Sequence, residues 1–166
     1  MRIGFFYVIS ALVAGVMVCP AVSAPLSFTP DAFGVQFNDT ATRLGVTTRI
    51  ALRTCGAGGG PSCTYQTSTG VYCIVFSEDH STIHVVECIA AEKGAVDDLL
   101  MSFFVLATLF YPPISSDERM VAFRTMNKRF NDSGGKRGEA FLRDVTYILA
   151  RMEGIGFSLT ANSKLP

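Results

Sequence analysis

Apolar residues run almost unbroken from Ile3 to Val18, interrupted by Gly4, Ser10 and Gly15, and beyond Pro25 the chain becomes periodic. Thr29, Pro30, Asp31 and Ala32 read as a helix start, with proline at the first helical position where its missing N–H costs nothing. Phe33, Val35 or Gln36, Phe37, Ala41 and Leu44 then recur at helical spacing, and Gly45 closes the pattern. A helix is expected over residues 30–44.

From Val46 the period becomes two, with Ile50, Leu52 and Thr54 on one face and Arg49, Ala51 and Arg53 on the other, up to Cys55. A glycine-rich loop over 56–62 leads to a short polar strand over 64–67, a turn at Thr69 and Gly70, and two apolar strands over 71–76 and 83–90. This is a four-stranded meander. If His80 and Ser81 form the loop between its last two strands, Cys73 falls directly opposite Cys88, at a separation a disulfide spans.

Asp97 and Asp98 open a helix whose body, 99–111, is apolar almost all round and is stopped by Pro112 and Pro113. It is too short to cross a bilayer and reads as the central buried helix. Ser115 and Glu118 make a capping box for a third helix ending near Phe130, with Met120, Phe123, Met126 or Asn127 and Phe130 as its apolar stripe. After a turn at 131–135, residues 141–152 and 157–161 read as two long strands joined through Glu153, Gly154, Ile155 and Gly156. The expected order is α-β-β-β-β-α-α-β-β, an α+β domain with helices on one face of an antiparallel sheet made of a meander and a C-terminal hairpin.

The first residues change the biological picture. Met1 and Arg2, the apolar run and the small residues after Cys19 and Pro20 have the order of a secretory signal peptide, so the expected organisation is a leader over 1–24 and one exported domain over 25–166. Val22 and Ala24 fit the small-residue positions of a cleavage site but leave Pro25 after the cut; cleavage after Ser23 competes. The alternatives are retention as an anchor, since the run nears the length that spans a bilayer, and lipid attachment at Cys19, which Val16, Met17 and Val18 disfavour.

Removing the leader takes away Arg2 and no acid, so 14 Lys and Arg become 13 against 14 Asp and Glu, a formal net charge of −1. A balance this even, with no basic block, argues against nucleic acid and against a strongly anionic membrane as partner. No stable membrane span is expected after cleavage. Four of the five cysteines remain, Cys55, Cys63, Cys73 and Cys88, which in an oxidising compartment implies two disulfides. Their spacing, C-x7-C, C-x9-C and C-x14-C, lacks the tight knuckle of a structural zinc site. With Cys73 set against Cys88, Cys55 and Cys63 close the glycine loop, although sequence alone allows three connectivities.

Candidate chemistry is sparse. His80 and His84 lie near Glu78, Asp79 and Glu87, the residue types of a metal or acid–base site, but His84 and Glu87 have opposite strand parity and point to opposite faces. The run Gly56, Ala57, Gly58, Gly59, Gly60 lacks the Lys-Ser/Thr pair and the following helix of a phosphate loop. No serine stands in a nucleophile elbow, and a thiol nucleophile would need a cysteine left reduced. Asn38 and Asn131 begin glycan-acceptor triplets, and Asn131 is better placed because Asn38 lies inside a predicted helix. No catalytic residue, metal ligand or cofactor site is assigned, and no residue motif identifies a family. The expectation is a non-enzymatic exported binding or interaction domain whose partner is a protein or a small apolar ligand. A small hydrolase with scattered polar residues and a carrier with space beneath residues 99–111 are the alternatives.

Overall fold

The structure is a computed structural model that describes residues 26–56, 61–79 and 81–163. The proposed leader, residues 57–60 of the glycine loop and His80 lie outside the described residues. A 3-10 turn at Pro30–Ala32 leads into α1, Phe33–Leu44, which Gly45 ends in the left-handed conformation at φ 68°. The meander follows as β1, Ile50–Cys55, β2, Ser62–Thr67, β3, Val71–Ser77, and β4, Ile83–Ala90. Two helices, α2, Val96–Phe110, and α3, Ser116–Asp132, precede β5, Arg137–Leu142, β6, Val145–Met152, and β7, Gly156–Asn162.

All seven strands form one antiparallel sheet in the order β1-β2-β3-β4-β7-β6-β5. The last strand of the chain therefore inserts next to β4 and joins the meander to the C-terminal strands. On β3 the residues Val71, Cys73, Val75 and Ser77 are buried, while Tyr72 and Phe76 are exposed. The helices pack on the first set, where Phe33, Phe37, Leu99, Phe103, Leu106 and Met126 meet Tyr65, Cys88, Tyr147 and Leu159 in a single core. On the opposite face the described residues place no further layer.

The register expected for β3 and β4 is the one observed, with Cys73 opposite Cys88, and Cys55 likewise stands opposite Cys63. Both pairs are disulfides, with Cα separations of 4.0 and 4.1 Å. Cys73, Cys88 and Cys63 are buried and Cys55 is partly exposed.

Three expectations need correction. The first strand begins at Ile50, and a register shift between Leu52 and Thr54 breaks the predicted alternation, leaving Leu52 51 % exposed on this edge strand. The stretch 141–152 is not one strand: Arg143, at φ 56°, and Asp144 turn the chain, so a separate β5 begins at Arg137 and the C-terminal unit has three strands. The stripe predicted on α3 turns inward at Phe123, Met126 and Phe130, which pack against the core, but not at Met120, which is 36 % exposed.

Polar side chains fasten this arrangement. Asn38 of α1 donates from Nδ2 to the Ile50 carbonyl and accepts the Ile50 N–H at Oδ1, both at 2.9 Å, so it occupies the edge of β1 as another strand would. Asp98 at the start of α2 accepts from Thr48 at 2.6 Å and from Thr69, tying the approach to β1 and the β2–β3 turn to the helix. The capping box is formed: the Glu118 N–H donates to Ser115 Oγ, and the Ser115 N–H donates to Glu118 Oε2. Among the described residues no helix is long and apolar enough to cross a membrane.

Candidate functional site

Among the described residues, which leave out His80, the histidine and carboxylate cluster does not assemble. Asp79 accepts from the backbone N–H groups of Ser81 and Thr82 and from the hydroxyls of Ser77 and Thr82, so it shapes the β3–β4 turn. Those bonds, the Thr82 hydroxyl first, hold its carboxyl well below the usual carboxylate range. The His84 carbonyl receives the N–H and hydroxyl of Ser163, its strand partner beyond β7. Among the described residues no three His, Cys, Asp or Glu side chains converge as a metal site would require. Asn38 is committed to Ile50, whereas Asn131 is exposed in the last turn of α3.

The space beneath α2 is filled. Leu99, Phe103, Val105, Leu106 and Ala107 are fully buried, and the Phe103 ring stands edge-on to Tyr147 at 5.0 Å and 5.5 Å from Phe123. Among the described residues these side chains occupy the space between α2 and the sheet.

An unexpected concavity lies instead at the far edge of the sheet. It is a groove of about 450 Å³ lined by Asp117, Glu118, Val121, Ala122, Thr125 and Arg129 of α3 and by Ala140, Phe141 and Leu142 of β5. Gly138 creates it: a Cβ there would lie 2.0 Å from the Met126 carbonyl oxygen and 2.6 Å from the Phe130 nitrogen, so only glycine lets α3 settle directly on β5. Helical spacing then turns residues 118, 121, 125 and 129 beyond the edge of the sheet. Val121 and Phe141 are 62 % and 61 % exposed, the largest apolar exposure on this side of the molecule.

The two ends of the groove differ in charge. At one end Glu118 accepts from Ser115 and pairs with Arg143 at 3.0 Å, while Asp117 is exposed. The Ser115 N–H and hydroxyl, with Arg143 behind them, keep the Glu118 carboxyl below its ordinary value. Arg143 also lies over the Tyr111 ring at 5.1 Å, so the residue with the unusual backbone conformation joins three elements. At the other end Arg129 donates to the Glu139 carbonyl at 3.0 Å. That bond shows the Glu139 backbone pointing away from β6, and alternation makes Phe141 do the same. Arg151 donates its N–H to the Lys136 carbonyl, which fixes the even-numbered residues of this strand toward β6. The Phe141 N–H and C=O and the Glu139 N–H therefore face outward along the groove.

Sequence reasoning missed this site because it merged β5 into a longer strand. The legible signal was Gly138 between polar neighbours, a small residue marking close approach of another backbone. Comparison of the chain with protein-family models, with curated proteins and with solved structures finds no match.

Proposed function

We propose that the protein is an exported, non-enzymatic binding domain, stapled by two disulfides, whose contact surface is the α3–β5 side. One observation carries the reading: the groove there combines exposed apolar side chains, outward backbone polar groups and charged ends, the composition of a recognition surface. Two features support export. The cysteines are paired as an oxidising compartment would pair them, and residues 1–24 have the order of a secretory leader in the sequence. Leu26 is itself structural, since it is 4 % exposed and exchanges two backbone hydrogen bonds of 3.0 Å with Ile83. A signal cut after Ser23 or Ala24 retains it.

Site-specific photo-crosslinking in the native compartment tests the surface. A crosslinker replacing Val121 should give a discrete adduct, while one replacing Val35, equally exposed on α1, should give none. Equal adducts from both positions, or none from either, would remove the α3–β5 side as the contact surface.

A further inference from the structure

We infer that the groove accepts an extended peptide segment, which adds to β5 as an eighth strand beneath the overhang of α3. This rests on the binding-domain reading and goes further by naming the occupant. Adjacent strands lie about 4.8 Å apart, whereas a helix with its side chains is about 10 Å across. Because α3 is seated on Gly138, it extends over the next strand position and shelters it. The same geometry excludes a second copy joined edge to edge. Pairing β5 with another β5 would bring two α3 helices to about 5 Å, and packed helices need about 8–10 Å. A bare strand fits where a helix-covered one does not.

The edge dictates what that strand looks like. A residue opposite Phe141 can exchange both backbone hydrogen bonds with it, using the outward N–H and C=O. Its two neighbours, opposite Leu142 and Ala140, then point to the helix side, against Val121, Ala122 and Thr125, and must be small or medium apolar residues. Two residues further along, the position opposite Gly138 lies below Arg129 and favours an acid. At the other end a basic residue meets Asp117, since Glu118 is held by Ser115 and Arg143. Antiparallel addition thus selects the order basic, apolar, apolar, acidic at alternate positions, with polar residues between them on the open face.

A capped heptapeptide, acetyl-Lys-Thr-Val-Thr-Val-Thr-Glu-amide, is the probe, read by amide chemical shifts and hydrogen exchange of the oxidised protein. The expected result is a Kd between about 10 µM and 1 mM, with slowed exchange at the Glu139 and Phe141 amides. Placing proline at the central position removes the donor aimed at Phe141 and should weaken binding at least about tenfold. Val121→Asp, at a solvent-facing helix position, should do the same without disturbing the fold. Arg129→Glu should weaken the peptide ending in glutamate and favour one ending in lysine. Absence of binding at about 1 mM, equal binding of the proline peptide, or shifts without protection at Phe141 would overturn the proposal. Such a failure combined with a specific Val121 crosslink would leave the contact surface standing and discard only the extended occupant.

Discussion

Two buried tyrosines of similar sequence context have opposite thermodynamic roles. Tyr65, 1 % exposed, places its hydroxyl 2.6 Å from the Pro30 carbonyl and 2.9 Å from that of Asp31, joining β2 to the start of α1. Tyr147 is as buried, but its hydroxyl has no hydrogen-bond partner among the described residues, and the ring alone is used, against Phe103. Tyr65→Phe should cost about 1 kcal/mol in denaturant unfolding, whereas Tyr147→Phe should be neutral or stabilising by up to about 2 kcal/mol. A loss of more than about 1 kcal/mol on changing Tyr147 would show a partner for its hydroxyl. Burial raises both phenols, and that of Tyr147 far above its usual value. A raised acid keeps its proton in the fold, so the stability it contributes is intact below about pH 10 and is lost as pH rises further toward the folded value. Above pH 10 the slope from Tyr147 alone is up to about 1.4 kcal/mol per pH unit, and Tyr147→Phe should flatten the alkaline limb of the stability profile. An unchanged limb would place the ring in water. No sequence pattern distinguishes these two tyrosines, because both fall on inward positions of strands and only the neighbouring backbone differs.

At the scale of elements, what could be read from the chain tracks how local the signal is. The capping box of α3, the glycine stop of α1 and the register of β3 against β4 each rest on residues close in sequence, and all three are present. The β5–β6 turn was hidden because Arg143 and Asp144 are not the glycine or asparagine that a two-residue turn ordinarily uses. Its conformation is supported from afar, by Glu118 and Tyr111, and such support is invisible to a local pattern. The groove was hidden for the same reason, since it needs β5 to exist as an edge. In α2 an apolar residue stands on almost every side, so periodicity does not say which ring faces the sheet. The structure buries Phe103 completely and leaves Phe104 half-buried against Phe123. Phe103→Ala should therefore cost about 3–5 kcal/mol and Phe104→Ala clearly less, as measured by urea unfolding. The reverse order would mean that α2 is rotated about its axis relative to the sheet.

For the whole molecule, the α+β class and the helices on a single face were legible, because the changes of hydrophobic period are strong and the two disulfides agree with the strand register. The closing of seven strands into one sheet was not legible: pairing β7 with β4 joins residues far apart in the chain, such as Val86 and Ala161, about 75 positions apart, and no short-range pattern encodes it. The two disulfides agree with the strand register, and the proposal built on them is that this domain works in a compartment outside the cytoplasm. A non-reducing peptide map of protein recovered from outside the cytoplasm tests it most directly. The map should show an N-terminal peptide beginning at Ala24 or Pro25 and two links, Cys55 to Cys63 and Cys73 to Cys88. Four free thiols, retention of Arg2, or a link from Cys55 to Cys73 or Cys88 would contradict it.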